Sequence, residues 1–275
     1  MNGGASKAPA RSEHAPAVPS ATSAISTASS PPAPATSFAC FVTGTDTGVG
    51  KSLVSAALLR ALARHYPRVV GMKPVAAGTI HTPQGPASED ALQLRAASTV
   101  AVPPALDNPV LLPDPLSPHL AAERAGVRIS VPVLQASYEA LCEHADAVVV
   151  EGAGGFLVPL AEDCTMADLA QALAIPVVLV VGLRLGCLNH ALLTAQAIRA
   201  CGLPLAGWVA NQIDPDMAAV EDNVAYLRRH LGAPLLGHIG YLAQPQSAAI
   251  ELALPTDWLC SNALPLSRRG GGRGL

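Results

Sequence analysis

A glycine-rich segment, Gly44-Thr45-Asp46-Thr47-Gly48-Val49-Gly50-Lys51-Ser52, joins an apolar run at residues 38–42 to an alanine- and leucine-rich stretch at residues 53–62. The first run predicts a strand and the second predicts a helix. Glycines let the backbone approach an anion closely, and the positive end of the helix faces the same point. The segment therefore predicts a phosphate-binding loop, with Lys51 on the β- and γ-phosphates and the Ser52 hydroxyl on Mg²⁺.

The spacing of this loop departs from the usual pattern by one residue. Five residues separate Gly44 from Gly50, where the pattern has four, so Thr45 stands where a glycine is expected. The alternative is a glycine-rich turn that binds nothing. The strand before the loop and the helix after it favour phosphate binding.

The 275 residues are enough for one large domain or two small ones. The core should be mostly Ala, Val and Leu, since 50% of the residues are hydrophobic and only 3% are aromatic. The net charge of −3, with no basic block beyond Arg268-Arg269, argues against a nucleic-acid partner. No apolar run approaches the length of a membrane span. Six cysteines without a C-x-x-C pair or a secretory signal predict reduced thiols and a cytoplasmic protein.

The two ends of the chain differ from its middle. Residues 1–36 are rich in Ala, Pro, Ser and Thr, and residues 267–275 are rich in glycine and arginine. Such segments bury too little apolar surface to offset the entropy of ordering them. We therefore predict a disordered leader at 1–36, a folded domain at 37–266 and a disordered tail at 267–275.

Within the domain, short apolar runs alternate with helical patterns. Strands are predicted at 38–42, 69–75, 147–150, 176–181, 205–210 and, as the last strand, 235–239; helices are predicted at 53–62, 87–97 (opening near Ser88), 120–125, 131–144, 165–172, 188–200 and 218–230, with 101–116 irregular. Continuous apolar strands suit a parallel sheet covered on both faces, so the fold class is α/β and doubly wound. Thr43, Lys73, Glu151 and Asn211 stand at the ends of four of the strands and should gather along one edge of the sheet.

Two carboxylates are candidates for a metal site. Glu151 follows the apolar strand at 147–150 and precedes the glycine-rich turn Gly152-Ala153-Gly154-Gly155, which permits another close approach to an anion. Asp90 is either a second metal ligand or only a first-turn residue that balances its helix dipole.

Three further features have two interpretations each. Lys73, in an apolar strand, is either a cation over a transferred phosphoryl group or an edge residue whose ammonium reaches water. The helix opening at Gly186-Cys187-Leu188-Asn189-His190 either holds a carboxylate or is an ordinary capped helix. Asn211 either contacts a base edge or satisfies a turn.

Taken together, these residues resemble the dethiobiotin synthetases, the ATP-dependent carboxylase-cyclases of biotin biosynthesis. The resemblance runs from about residue 38 to about residue 250, includes the extra residue of the loop, and implies a single P-loop NTPase-like domain. It rests on Phe41-Val42-Thr43-Gly44-Thr45-Asp46-Thr47, Val49-Gly50-Lys51-Ser52, Lys73-Pro74-Val75-Ala76, Ser117-Pro118-His119, Glu151-Gly152-Ala153-Gly154-Gly155, Val181-Gly182-Leu183-Arg184-Leu185-Gly186-Cys187-Leu188-Asn189-His190 and Gly207-Trp208-Val209-Ala210-Asn211.

The resemblance implies a role for each matching residue. Catalytic roles fall to Lys73, Thr47 and Lys51, and Mg²⁺ ligation falls to Ser52, Asp90 and Glu151. ATP contacts fall to Gly48, Val49, Gly50, Lys51, Ser52, Leu53, Asp90, Glu151, Gly152, Ala153 and Gly154, with Asn211, Gln212, Gly240, Tyr241, Leu242 and Ser247 around the adenine. Substrate contacts fall to Ala77, Cys187, Leu188 and Asn189.

The same resemblance implies a ligase that joins 7,8-diaminononanoate, CO₂ (or bicarbonate) and ATP into dethiobiotin, ADP and phosphate through a carbamate and a carbamic–phosphoric anhydride. It also implies Mg²⁺ and a homodimer, in which the helix opening at Cys187 holds the far carboxylate of a substrate bound to the other subunit. Two positions depart from the family: Ala77 replaces a frequent serine, and Gly48 replaces a frequent acidic residue.

Two other classes compete with this interpretation. An ATP-driven partition or switch protein often has a lysine early in the loop, where Thr45 stands, and needs a partner-binding surface for which no basic face is evident. An amide-forming ligase of the cobyrinate type usually appends a glutaminase domain, and we expect none in the residues after Ile250.

Overall fold

A parallel β-sheet forms the centre of the computed structural model, which describes residues 1, 3, 36–245, 250–252 and 254–265. The described residues from Thr36 onward belong to one compact unit. Apart from residues 1, 3 and 36, the predicted leader lies outside the described residues, as does the predicted tail. Residue 36 already belongs to the first strand.

The strands and helices of the described residues alternate along most of the chain. The strands are β1 (Thr36–Gly44), β2 (Val69–Met72), β3 (Val75–Ala77), β4 (Ile80–Thr82), β5 (Gly85–Ala87), β6 (Val110–Leu112), β7 (Ala147–Gly155), β8 (Val177–Leu183), β9 (Leu205–Gln212), β10 (Leu235–Ile239) and β11 (Ala263–Pro265). The helices are α1 (Lys51–Leu62), α2 (Glu89–Ala97), α3 (Pro104–Asp107), α4 (Pro118–Ala125), α5 (Val131–His144), α6 (Met166–Leu173), α7 (Cys187–Ala200), α8 (Val220–His230) and α9 (Thr256–Ser261).

Among the described residues, seven strands make the central sheet, in the order β10-β9-β8-β1-β7-β2, with β11 paired to the start of β1. All neighbours along this path are parallel, and only the β1–β11 pair is antiparallel. The predicted α/β fold with a mostly parallel sheet is thus confirmed.

Both faces of the sheet are covered, as continuous apolar strands predict. Along β1, Phe38, Cys40 and Val42 belong to the core that includes helix α1. Ala39 and Phe41, which point to the opposite face, belong to the core that includes α5 and α6. A third core joins β8 and β9 to α7 and α8.

The predicted strand at 69–75 is confirmed over 69–72 and is wrong beyond Met72, because the chain leaves the sheet at Lys73-Pro74. Strand β2 ends at Met72, and Val75 begins β3, which pairs with β6 in a separate two-stranded sheet. Strand β2 is at the edge of the sheet, and Pro74, which has no N–H to donate to a ladder, stands where the chain turns away from it.

Other differences lie in short elements. The segment 101–116, predicted as irregular, contains α3 and β6, and a small antiparallel hairpin of β4 and β5 precedes α2. The prediction that 235–239 is the last strand is also wrong, since α9 and β11 follow it. These elements are six residues or fewer and lack a periodic signal long enough to detect.

The longer elements follow the sequence pattern closely. Helix α5 and strand β10 have the predicted bounds. Ser88 is the N-cap of α2, and its hydroxyl accepts a hydrogen bond from the Ala91 N–H at 3.4 Å. In the part of the chain that the structure describes, no helix is both long and apolar enough to cross a membrane.

The buried thiol of Cys40 makes stability depend on alkaline pH. Burial raises the pKa of this thiol to about 12 from its ordinary value of 9.0. A raised folded-state pKa contributes stability that is complete below about pH 9 and is lost as the pH rises from there towards 12. At pH 10 we expect the loss to be on the order of 1 kcal/mol.

Urea unfolding at pH 8 and pH 10 tests this expectation. The cost of Cys40→Ala in the free energy of unfolding should be smaller at pH 10 than at pH 8, because the variant lacks the thiol. Replacement of the exposed Cys260 is the control for general effects of removing a thiol. An equal cost of Cys40→Ala at both pH values contradicts the expectation.

Candidate active site

The glycine-rich loop connects the carboxyl end of β1 to the start of α1, as predicted. Gly50 caps the helix in the left-handed region, with φ of 88°, and a Cβ added there would overlap the side-chain amide of Asn211. A Cβ on Gly44 would lie 2.6 Å from Cγ2 of Val49. Both positions therefore require glycine, and the loop closes tightly over the end of the strand.

Lys51 is turned back onto its own loop. Its Nζ donates to the backbone oxygen of Asp46 at 3.0 Å, and the side chain is buried. Burial, followed by the nearby charge of Lys73, lowers the pKa of Lys51 to about 8. A phosphate group here would supply the anion that this buried lysine lacks.

Lys73 and Glu151 are brought together by the register of the sheet. Met72 lies opposite Val150 in the parallel β2–β7 pair, so the next residues are neighbours at the carboxyl edge. The Nζ of Lys73 lies 2.7 Å from Glu151 Oε1, 2.7 Å from Asp90 Oδ2 and 3.2 Å from the Gly152 oxygen. Lys73 is 3% exposed, so it does not reach water, and the edge-residue interpretation is wrong.

The charge of Lys73 is held by its neighbours. Burial alone would lower the pKa of this lysine, but the carboxylates of Glu151 and Asp90 outweigh burial and raise it above its ordinary value. Lys73 is therefore an ammonium at neutral pH. Burial also opposes ionisation of Asp90, yet Lys73 and the Ser52 hydroxyl hold the pKa of that carboxyl below its ordinary value.

The side-chain oxygens of Ser52, Asp90 and Glu151 form a compact group. Ser52 Oγ lies 2.8 Å from Asp90 Oδ1 and 2.7 Å from Glu151 Oε1. One hydroxyl has one proton, so it can donate to only one of these carboxylates at a time. Glu151 is fully buried, and its Oε2 has no hydrogen-bond partner among the described residues.

These oxygens fit a magnesium ion. Ligands at the usual 2.0–2.1 Å in octahedral geometry lie about 2.9 Å from one another, close to the spacing of these oxygens. Carboxylates and a loop hydroxyl are also the donors that Mg²⁺ takes beside a nucleotide. Asp90 is a first-turn helix residue, as its alternative interpretation held, but its carboxylate also faces Lys73 and Ser52.

The second glycine-rich turn is an extension of β7, which runs to Gly155 rather than ending at Val150. Gly152 is buried, and a Cβ on it would lie 3.1 Å from the Phe41 ring. Gly154 has a φ of 62°. Ala153 is half-buried and packs against the core on the α5 side.

The remaining loop residues divide by exposure. Thr47 and Gly48 are exposed at the tip of the loop, where the Thr47 N–H donates to Asp46 Oδ1 at 2.7 Å. Val49 and Leu53 are buried in the core, so their side chains point away from the loop surface. Gly48 has a φ of 74°, in the left-handed region that glycine adopts without strain.

Asn211 lies beside the loop, within β9 rather than after it. Its Nδ2 donates to the Val49 oxygen at 2.8 Å and is buried. Gln212 Nε2 donates to the Asp214 oxygen at 3.0 Å. Gly240 and Tyr241 are exposed and Leu242 is half-buried, whereas Ser247 lies outside the described residues.

The predicted substrate residues lie on two elements. Ala77 is half-buried at the end of β3. Cys187 is the buried first residue of α7, Leu188 is half-buried and Asn189 is exposed. Burial raises the pKa of the Cys187 thiol.

Sequence reasoning missed two sets of contacts. Arg184, directly after β8, pairs with Asp46 of the loop at 2.6 Å. Asp107 and Asn108 contact the backbone of Lys73. Arg184 belongs to the segment 181–190 that carries the resemblance, but the sequence gives no sign that its partner is Asp46.

A strand, a glycine-rich loop ending in Gly-Lys-Ser and a helix, set on a parallel sheet, define a P-loop nucleotide-binding protein. The family model described as an AAA domain matches residues 39–248. The chain is also 58% identical, over 210 residues, to the ATP-dependent dethiobiotin synthetase BioD of Ralstonia nicotianae, and the match covers 76% of this chain and 92% of that protein. The chain therefore belongs to the dethiobiotin synthetase family and is an enzyme of the ligase class.

Similar solved structures include a ParA family ATPase from Chlorobium tepidum TLS, at 14% identity and a TM-score of 0.48, covering 82% of this chain and 90% of that one. The cell division protein MinD of Aquifex aeolicus has 13% identity and a TM-score of 0.44, covering 75% and 83%. These likenesses are too weak to bear on activity.

Proposed function

We propose that this chain forms dethiobiotin from 7,8-diaminononanoate, CO₂ and ATP, releasing ADP and phosphate. The observation that carries the proposal is the convergence of Lys51, Ser52, Lys73, Asp90 and Glu151 in one polar cluster at the carboxyl edge of the sheet. The Ralstonia relative, which bears the name of this activity, supports the same conclusion.

ATP would place its phosphates along the loop, where Thr47, Gly48 and the first-turn amides of α1 are available. Val49 and Leu53 would contribute only backbone groups, since their side chains are buried. Lys51 would exchange the Asp46 oxygen for phosphate oxygens. Ser52, Asp90 and Glu151 would hold Mg²⁺, which supplies positive charge against the triphosphate.

Lys73 would act as a fixed cation over the transferred phosphoryl group. Its raised pKa keeps it protonated, so it contributes charge and does not accept a proton. Carbamate and triphosphate are both anions and repel each other. Lys51 and Lys73 would offset this repulsion where charge shifts in the transition state.

The chemical steps would require positioning more than covalent help from the protein. One substrate amine adds CO₂ to give a carbamate. A carbamate oxygen then attacks the γ-phosphorus, releasing ADP and forming a carbamic–phosphoric anhydride. The second amine attacks the carbonyl carbon, phosphate leaves, and the urea ring closes.

We also propose that the active form is a homodimer with the substrate at its interface. The far carboxylate would meet the first turn of α7, at Cys187, Leu188 and Asn189, on the other subunit. Three large apolar side chains support an interface near this helix and the β7 turn: Leu185, Leu193 and Leu157 are 95%, 55% and 59% exposed.

Adenine would lie near Asn211, Gln212 and residues 240–242. Because Asn211 Nδ2 already donates to the loop, its carbonyl oxygen would be the group that contacts the base. The side-chain methyl of Ala77 cannot provide the hydroxyl contact that serine makes in relatives. The substrate amines would then depend on Thr47 and backbone groups.

An omission assay tests the proposed function. Diaminononanoate, bicarbonate and MgATP are supplied together, each is then left out in turn, and dethiobiotin and phosphate are measured. We expect both products in equal amounts, and only with all three reactants. Phosphate release that does not depend on the diamine but rises with added DNA would instead support a partition or switch protein.

A further inference from the structure

The backbone of Lys73 is held by a segment outside the central sheet. The backbone N–H of Lys73 donates to the backbone oxygen of Asp107 at 2.6 Å. Asn108 Nδ2 donates to the Lys73 oxygen at 2.7 Å and to the Val110 oxygen at 3.3 Å. Both peptide groups that flank the Lys73 side chain are thus fixed by two adjacent, buried residues.

The described strands of the central sheet provide no ladder hydrogen bonds to Lys73, so these contacts hold its backbone instead. The β2–β7 ladder ends at Met72, and Pro74 has no N–H. The path of the chain at Lys73 therefore depends on Asp107 and Asn108 rather than on strand pairing. A rotation of either peptide would move the ammonium away from its partners on Glu151 and Asp90.

Asp107 is in turn held by Arg95. The guanidinium donates through Nε to Asp107 Oδ2 and through Nη2 to Asp107 Oδ1, both at 2.6 Å. The Asp107 side chain is 3% exposed, so solvent screens this two-point ion pair weakly.

The two ends of this chain of contacts lie on one helix. Arg95 lies on α2, which also bears Asp90 five residues earlier, roughly 7.5 Å along the axis. Helix α2 therefore acts on Lys73 in two ways. The Asp90 carboxylate contacts the Lys73 ammonium directly. Arg95 binds Asp107, and Asp107 with its neighbour Asn108 holds the Lys73 backbone.

We propose that Arg95, Asp107 and Asn108 are positioning residues that hold the Lys73 ammonium in its reactive place relative to Asp90 and Glu151. The proposal rests on the catalytic role of Lys73 in the proposed function. Displacement of a reacting group by about 1 Å can cost on the order of 10²-fold in rate, so a loosened Lys73 should slow the chemical step.

The chain offers a matched control for this ion pair. Arg68 donates through Nη2 to Asp146 Oδ1 at 2.6 Å and through Nε to Asp146 Oδ2 at 3.1 Å, and the Asp146 side chain is 1% exposed. This pair lies at the amino ends of β2 and β7, five residues or roughly 16 Å along the strand from Lys73. It therefore resembles the Arg95–Asp107 pair in burial and geometry but not in position.

The experiment compares Arg95→Ala, Arg95→Lys and Asn108→Ala with Arg68→Ala, measuring kcat, the KM for ATP and Tm. We expect Arg95→Ala and Asn108→Ala to lower kcat about tenfold while the KM for ATP stays within about twofold. Arg95→Lys should recover part of the loss, because it keeps the charge. Arg68→Ala should lose similar Tm but keep kcat within about twofold.

Two results would overturn the proposal. One is a fall in kcat for Arg68→Ala that equals the fall for Arg95→Ala at matched Tm. The other is a kcat within about twofold of wild type for both Arg95→Ala and Asn108→Ala. Asn108→Ala keeps the proposal open to refutation if Arg95→Ala fails to fold.

A second readout separates this proposal from the proposed function. The chain has three lysines, Lys7, Lys51 and Lys73, so labelling by an amine-reactive reagent can be followed for each by mass spectrometry. Loosening should raise the labelling of Lys73 relative to Lys7 by about threefold or more in Asn108→Ala and Arg95→Ala but not in Arg68→Ala. If the wild-type protein makes no dethiobiotin, the proposed function fails. Equal labelling of Lys73 in wild type and all variants would overturn the positioning proposal, whatever the activity.

Discussion

Replacement of Lys73 by alanine is expected to lower kcat by on the order of 10²-fold or more, while MgATP still binds. The ammonium lies 2.7 Å from both Asp90 and Glu151, in a buried setting where a fixed charge acts strongly on a developing one. Its removal takes away a cation that the transition state needs more than the ground state does. Steady-state phosphate release with all three reactants, together with nucleotide binding, measures the two effects separately.

A second variant separates charge from volume. Lys73→Met keeps most of the side-chain length without the charge, so it should lose as much kcat as Lys73→Ala. Both variants leave two carboxylates without their ammonium, so both should have a lower Tm than wild type without magnesium and recover part of it when magnesium is added. Phosphate release within about twofold of wild type would remove Lys73 from the catalytic residues.

The second large effect is expected at Glu151. Glu151→Gln keeps the size of the side chain but removes the charge of a buried group whose Oε2 has no partner among the described residues. Removing a residue that only hydrogen-bonds a metal ligand costs about 10- to 100-fold in metal affinity. Removing a charge from Glu151, the proposed ligand itself, should cost at least as much. The affinity for ATP should therefore fall roughly tenfold or more with magnesium and change little without it.

Glu139→Gln is the control for removing a carboxylate charge away from the site, since Glu139 is exposed on α5 and accepts a hydrogen bond from Gln135. This variant should bind ATP as wild type does, with and without magnesium. Asp90→Asn should behave like Glu151→Gln, though less severely, because the Asp90 side chain is 44% exposed. Unchanged magnesium-dependent affinity in both site variants would exclude the two carboxylates from metal binding.

The phosphate loop and the carboxylate beside it could be predicted because their signals are local. Glycines at fixed offsets, a lysine and a serine encode the loop in nine consecutive residues, and an acidic residue directly after a buried strand encodes Glu151. Parallel strands bring such strand ends to one edge, as the sequence predicts. The contact of Lys73 with Glu151 also needs β2 to lie beside β7, and that order comes from the structure.

The support for Lys73 could not be predicted in the same way. Asp107 and Asn108 lie in a proline-rich stretch whose sequence has no period, and their partners are 12 and 35 residues away. Pro74 did carry a usable signal, since proline has no N–H to donate to a ladder and weakens the prediction of a continuous strand through it. A break in the strand at Lys73-Pro74 was thus predictable. The segment that hydrogen-bonds the Lys73 backbone, at Asp107 and Asn108, depends on tertiary packing and was not.

The position of β1 between β7 and β8 has a consequence for synthesis in the cell. Gly44 ends the first strand, but the parallel neighbours of that strand end only at Gly155 and Leu183. At a ribosomal rate of about 5–20 residues per second, the nascent chain waits roughly 6–22 s before β7 has been made. During that interval an apolar strand has no parallel partner, so a newly made chain should depend on chaperones more than its final stability suggests.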